Sequence, residues 1–397
     1  MKRNKIITEE IMLKRSLMGA IAALTIALPA AAQDAYTIGL TGAMTGPAAG
    51  TLGPAVEGLR LYIDKLNASG GIDGRKVNLI LQDDSAEPSK AAANVKKLLS
   101  QDNVPVLVNA SLSSTYAPML AETKRGGVPV LFMGAVCPKE VLPPNPDPLQ
   151  FCSTGFAQTY DSRAALEYVK SVAKGPVNVG YAAMAIPISR GEIDFAAAEA
   201  EKMGFKTVAK EVIPPPTPDY TPFATKIKDA GANWAFSWAP WVTEIRTFEA
   251  LRRLGWDGEY LTIAHLEAEG ELPRVKDPKF YVMGANAFYA DGLPIHKEIE
   301  AAAKAGGAKY PANQMTEGWL GGLALEAALR KAGWPATKEK IAAAMSDLKV
   351  DTKGLRGVPM VWTKDNHFRT QQAYRVYRWD GDKIAILQDW KVYDVGK

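Results

Sequence analysis

A strand–helix rhythm that runs, stops at a proline-rich stretch and starts again is the strongest constraint on the fold of this chain. Residues 36–40 read as an extended, apolar run, followed by a glycine-rich loop through Gly53. Pro54 suits the first turn of a helix. Val56, Leu59, Ile63 and Leu66 then recur on one helical face, and the run from Asn67 to Gly71 stops it. Strands are expected at 77–81, 104–108 and 128–132, with helices at 88–99 and 116–125. After Cys152 the rhythm restarts, with helices at 161–173, 191–203, 220–230 and 243–254. Strands at 177–181, 207–212, 234–238 and 260–263 alternate with them. Two successive β-α-β-α blocks imply two parallel-sheet domains, because parallel strands need a crossover that a helix supplies.

The length of 397 residues supports two such cores. The formal net charge of +4 is concentrated at the N-terminus. The first 32 residues hold five Lys/Arg against two Glu, which leaves 42 basic against 41 acidic residues in the body. A near-neutral body offers no electrostatic footprint for nucleic acid. Lys14 and Arg15 precede an apolar run over 17–28 that ends in Pro29 and the small residues Ala30, Ala31 and Ala32. Positive region, short apolar core and small-residue end together predict a secretory signal over 1–32, cleaved before Gln33. Twelve apolar residues are too few to span a bilayer comfortably; an N-terminal anchor is the competing reading. Glu9 and Glu10 dilute the positive region, so Met12 is the expected start. No later segment is long enough to cross a membrane.

Export places the two cysteines, Cys137 and Cys152, in an oxidising compartment, where an even count favours one disulfide. It would pin a segment carrying Pro138, Pro143, Pro144, Pro146 and Pro148. Two cysteines with His265, His296 and His367 far apart in sequence make no metal site. Nucleophile-elbow, zinc-protease, phosphate-loop and dinucleotide motifs are missing, so neither an enzyme nor a cofactor is expected. Asp83 and Asp84 are adjacent in one loop, which is no acid–base arrangement.

Several stretches resemble one family: Gly42-Ala43-Met44-Thr45-Gly46-Pro47, then Asn67-Ala68-Ser69-Gly70-Gly71-Ile72-Asp73-Gly74-Arg75-Lys76 before a strand, then Asp83-Asp84, Ser113-Ser114-Thr115 and Asp219-Tyr220-Thr221-Pro222-Phe223. Together they resemble the type I periplasmic solute-binding proteins of ABC importers, in the branched-chain amino-acid-binding (Leu/Ile/Val-binding) branch. The resemblance implies an α/β fold of two Rossmann-like parallel-sheet lobes joined by three hinge crossovers near 151–154, 286–289 and 362–368. Lobe I would comprise 33–152 with 287–364, and lobe II 153–286 with 365–397. It further implies a periplasmic monomer that captures a small ligand and hands it to a permease and its ATPases. A ligand-sensing partner of a membrane receptor is a lesser alternative.

Ligands of open parallel sheets sit beyond the carboxyl ends of the strands. By that rule and the resemblance, lobe I contributes Ala43, Met44, Leu52, Ala110, Ser111, Leu112, Ser113, Gly134, Ala135 and Val136. The serines either hold a carboxylate or cap the next helix. In the family an acidic residue after the strand ending at Ile263 pairs with a ligand ammonium; counting places His265 there, with Glu267 and Glu269 as alternatives after a register shift. A histidine suits an acid or a phenol better than an ammonium, unless it is a plain loop residue. Trp238 and Trp241 form a flat wall or belong to the lobe core. Ile186 and Arg190 open a helix at the cleft, where Arg190 clamps a carboxylate or faces water. Tyr160 is a pocket position at the first crossover. The expected ligand is an aromatic or apolar carboxylate; branched-chain and aromatic amino acids are the alternative.

Overall fold

Strand β1 (Tyr36–Gly42) is buried over nearly its whole length, as befits a central parallel strand covered on both faces. The computed structural model describes residues 35–134, 136–263 and 267–396. The expected signal segment, Ala135 and His265 lie outside them. Helix α1 (Ala49–Ala68) follows β1, then β2 (Val77–Asp83), α2 (Pro88–Ser100), β3 (Leu107–Ala110), α3 (Tyr116–Gly126), β4 (Val130–Phe132) and β5 (Gln150–Cys152). These strands form one all-parallel sheet in the order β2-β1-β3-β4-β5. Helix α1 starts earlier than the sequence suggests, so Pro54 lies inside it. The bond that Pro54 cannot make would have reached Gly50, an exposed residue of the first turn, whose carbonyl is open to solvent.

The second sheet begins after α4 (Tyr160–Val172). It takes β6 (Asn178–Met184), α5 (Pro187–Lys202), β7 (Lys206–Ile213), α6 (Thr221–Asp229), β8 (Trp234–Ser237), α7 (Trp241–Arg253), β9 (Glu259–Ile263), α8 (Ala268–Val275) and β10 (Phe280–Gly284). The chain then returns to the first lobe, where α9 (Pro294–Ala305) and α10 (Thr316–Ala332) pack on α1. Helix α11 (Lys338–Met345) and the two-stranded ribbon β11 (Leu348–Val350) and β12 (Met360–Trp362) follow. It crosses once more to add a hairpin, β13 (Gln371–Asp380) and β14 (Lys383–Asp394). The hairpin extends the second sheet antiparallel to β10, in the order β14-β13-β10-β9-β8-β6-β7.

Each lobe has its own core. Ile38, Leu40, Val108, Leu131 and Phe151 meet Leu325 and Leu329 of α10 in lobe I. Val179, Tyr181, Phe236, Leu261 and Met283 meet the helices α4 and α5 in lobe II. The expected disulfide joins Cys137 to Cys152. Its Cα atoms are 5.7 Å apart. Two of the crossovers are tied by one buried carboxylate. Glu317 on α10 accepts from Gly155 N (3.1 Å) on the first crossover, Asn286 Nδ2 (2.8 Å) on the second and Arg356 Nη2 (2.8 Å). Arg356 also donates to Ser153 O at 2.9 Å. On the third crossover, Arg369 donates to Thr154 O and Gln372 Nε2 to Gly155 O. All three strands of chain between the lobes therefore share one hydrogen-bonded cluster.

Candidate functional site

The two sheets present their carboxyl ends to one cavity, where loop amides and helix N-termini gather. On lobe I, the first turn of α1 brings Thr51 and Leu52 to the wall. Ser111 follows β3 directly. Its hydroxyl donates to Asp84 Oδ1 at 2.7 Å, while Thr41 Oγ1 (2.9 Å) and Ala86 N (2.8 Å) also donate to Asp84. Burial pushes the Asp84 carboxyl up, against the pull of these donors. Ser113 opens a single 3-10 turn, and its Oγ is buried with no partner. Gly134, after β4, has φ +73°, and a Cβ there would sit 2.5 Å from Ala55 Cβ; no larger residue allows the loop this close to α1. Val136 is fixed through its carbonyl, which accepts from Tyr116 Oη at 2.6 Å.

On lobe II the wall is aromatic and aliphatic. Phe156 enters from the first crossover, and Ile186 and Ile188 from the start of α5. β8 ends at Ser237, and the next four residues, Trp238 to Trp241, turn through the wall into α7. Trp238 is buried, and its ring lies edge-on to Phe156 with centroids 6.0 Å apart. Its Nε1 donates to Asp161 Oδ2 at 3.0 Å and its carbonyl accepts from Ser189 Oγ at 2.6 Å. Asp161 also accepts from Ala157 N (3.0 Å) and Tyr374 Oη. Burial, then the charge of Glu192, pushes its carboxyl up to about 7. Glu244 sits in the first turn of α7, where Oε1 accepts from Ala239 N at 3.1 Å. Ile263 at the end of β9 and Glu267 before α8 complete this side.

The cavity holds about 630 Å³ of space free of protein atoms, solvent at its mouth included. Among the described residues its wall carries no lysine, arginine or histidine. Leu52, Ser111, Leu112, Ser113, Val136, Ile186, Trp238 and Trp241, all expected from the sequence, come together here.

Met44, Tyr160 and Arg190 are not among the lining residues. Met44 packs on the lobe I core and its amide binds Asp83. Tyr160 turns its hydroxyl to Gly396 N at 2.9 Å, and Phe156 takes the wall position instead. Arg190 is exposed on α5, because the adjacent Ser189 occupies the buried face and one residue rotates the next side chain by about 100°. The alternatives to His265 separate: Glu267 lines the cavity, whereas Glu269 is taken by the amides of Tyr289 and Ala290 at 2.9 Å. Glu244 escaped the sequence reading; its signal was an acid one turn into the helix after β8. Among the described residues no cluster of three His, Cys, Asp or Glu suits a metal, and no helix is long and apolar enough to cross a membrane.

Residues 35–383 match the family model described as periplasmic binding protein. A Leu/Ile/Val-binding protein, BraC3, of Rhizobium johnstonii is 25% identical over 92% of this chain and 97% of its own. An amino acid binding protein of Pseudomonas aeruginosa is 26% identical, with the alignment spanning 49% of this chain and about half, 51%, of that protein. Among solved structures, a branched-chain amino acid ABC transporter protein of Thermus thermophilus with bound valine superposes at TM-score 0.79 (17% identity, 90% of this chain, 97% of that one). A solute-binding protein of Rhodopseudomonas palustris BisB5 in complex with 3,4-dihydroxybenzoic acid superposes at 0.76 (20% identity, 92% and 99%). At these identities the likeness carries the fold.

Proposed function

The chain belongs to the periplasmic binding protein family, and from that premise we propose that it is an exported solute-binding receptor for an ABC importer. Its ligand is a small aromatic or apolar carboxylate, and it catalyses nothing. The observation that carries this reading is the cavity between the carboxyl ends of the two sheets. One wall offers serines and tight loops. The other offers Phe156, Trp238 and Trp241, which suit a ring. Ligand entering against one lobe draws the other over it by rotation at the three crossovers. The closed form then docks on a permease pair driven by cytoplasmic ATPases, and the receptor stays in the periplasm as a monomer. Two relatives described as amino-acid binders favour a second reading, a branched-chain or aromatic amino acid. Glu244 and Glu267 in the wall favour it too, since carboxylates pair with an ammonium.

The test is a set of thermal melts on protein begun at Gln33 and refolded to strip carried-over ligand. One panel holds aromatic and aliphatic acids without an amine, the other aliphatic and aromatic amino acids. A ligand at 100 times its Kd stabilises by about 2.7 kcal/mol. A shift with the amine-free acids supports the first reading, a shift with amino acids alone the second. A flat response to both panels removes the receptor reading.

A further inference from the structure

Phe156 is the ring that the first crossover brings to the cavity wall. It is partly buried, and the chain that carries it is pinned at each of the next three residues. Ala157 N donates to Asp161 Oδ2 at 3.0 Å, Gln158 Nε2 to Cys137 O at 2.7 Å, and Thr159 N to the two oxygens of Glu192 at 2.9 and 2.8 Å. Thr159 holds φ +63°, a conformation that a β-branched residue adopts only when its surroundings impose it. Strain of this kind clusters at ligand-binding segments.

The ring itself meets Trp238 edge-on, with centroids 6.0 Å apart. Trp238 Nε1 donates to the same Oδ2 atom of Asp161, at 3.0 Å, and Tyr374 Oη from β13 donates to Oδ1. Asp161 is fully buried and is not among the lining residues. An aspartate that only closed the start of α4 would need the Ala157 amide alone. This one spends the same oxygen on an indole from the loop after β8, 77 residues further along the chain. One atom therefore fixes both the backbone beside Phe156 and the indole on which its ring rests.

We propose that Asp161 is the positioning residue for Phe156, acting through Trp238 and the Ala157 amide to hold the ring where it favours a ring-bearing ligand over an aliphatic one. The role belongs to acceptor geometry rather than to charge. An amide oxygen in the place of Oδ2 accepts both of these donors, and its NH2 then donates to Tyr374 Oη, which accepts as readily as it donates. A hydrocarbon in the same place leaves two buried N–H groups unpaired. The inference deepens the receptor reading above and rests on it, and it holds for an aromatic acid and an aromatic amino acid alike.

The test is isothermal titration calorimetry of the refolded protein with two matched pairs, benzoate with 3-methylbutanoate and L-phenylalanine with L-leucine. Within each pair only one member carries a ring, and the readout is the ratio of the two affinities. Wild type should favour the ring by at least about fivefold in whichever pair binds. Asp161→Leu should bring that ratio to within about twofold of one, whereas Asp161→Asn should keep it within about twofold of wild type. Tyr374→Phe removes the donor that does not lead to the wall; it should lower the melting temperature and leave the ratio alone. In a Phe156→Leu background Asp161→Leu should no longer move the ratio, because residues that act in series are not additive. Melting of each free variant checks folding. If Asp161→Leu does not fold, Trp238→Phe takes its place: it keeps a ring against Phe156, releases it from Asp161 and should lower the ratio about threefold. A wild-type ratio below about two overturns the proposal. So does a loss shared equally by both members of a pair, a loss in Asp161→Asn as large as in Asp161→Leu, or a change that persists in the Phe156→Leu background. If none of the four ligands binds while another member of the melt panels does, the role of Asp161 in ring selection falls and the receptor stands. If none binds and both panels are flat, the receptor reading itself has failed.

Discussion

The two walls of the cavity are built on different principles. Lobe I faces it with glycine- and serine-bearing loops at the ends of an all-parallel five-stranded sheet, and anchors Ser111 through the buried Asp84. Lobe II faces it with large side chains on a seven-stranded sheet that an antiparallel hairpin extends, and anchors Trp238 through the buried Asp161. Small residues and hydroxyls suit a ligand's carboxylate, which every candidate shares. Bulky rings and an acid suit the part that differs between candidates. On the receptor reading proposed above, lobe I would hold the ligand and lobe II would discriminate.

The largest expected effect follows from removing the lobe II wall. Trp238→Ala vacates a fully buried indole and deprives Asp161 of a donor. It should cost about 3–5 kcal/mol in urea unfolding, with ligand binding lost. A cost under about 1 kcal/mol would mean that the wall is not structural. Next, opening the Cys137–Cys152 bridge by Cys137→Ser with Cys152→Ser should cost about 3 kcal/mol. Both cysteines belong to lobe I, so unfolding followed by a probe in each lobe sharpens the comparison. Separate transitions mean that the lobes fold independently; one shifted transition means that the hinge cluster around Glu317 couples them.

A smaller effect is a pH dependence weighted towards lobe II, where three buried carboxyls are raised against Asp84 alone among the shifted carboxyls of the described lobe I residues. Burial raises the carboxyls of Asp161, Glu192 and Glu244 in lobe II. Each folded acid then keeps its proton where the unfolded chain, titrating near about 4, has lost it. The stabilisation is complete below that pH and disappears as pH rises through the folded value, about 7 for Asp161. The ligand-free protein should therefore melt at lower temperature at pH 8 than at pH 5, and Asp161→Asn should flatten part of that slope. An unchanged slope in the variant would remove Asp161 from the account.

The strand–helix rhythm, the paired cysteines and most of the lobe I wall were legible in the sequence because each rests on a local signal. Position after a strand, together with the resemblance to the family, carries Ser111, Leu112 and Ser113 to the cavity. Glu244 was not legible, since an acid in a helix's first turn usually reads as a surface residue complementing the helix dipole. Only the fold buries it in the cavity wall that Trp238 and Ile263 also line. Pro54 misled for a related reason: proline suits a first turn, but the exposure of Gly50, whose carbonyl the proline leaves without its helical partner, lets α1 begin five residues earlier. The antiparallel direction of β13 was also hidden, because strand direction depends on where the third crossover returns the chain, not on the composition of the strand.

The smallest expected effect tests what kind of charge lobe II offers. Arg190 is exposed on α5, one residue past the buried Ser189. Arg190→Ala should leave stability within about 0.5 kcal/mol and ligand affinity within about twofold. The measurement is a titration of wild type and variant with whichever ligand the melts identify. A loss above about fivefold would mean that lobe closure swings the start of α5, and the guanidinium with it, over the ligand. Lobe II would then contribute the bidentate donor to the carboxylate that the lobe I serines otherwise hold alone. The division between a holding lobe and a discriminating lobe would fail at that point, because both lobes would grip the same end of the ligand.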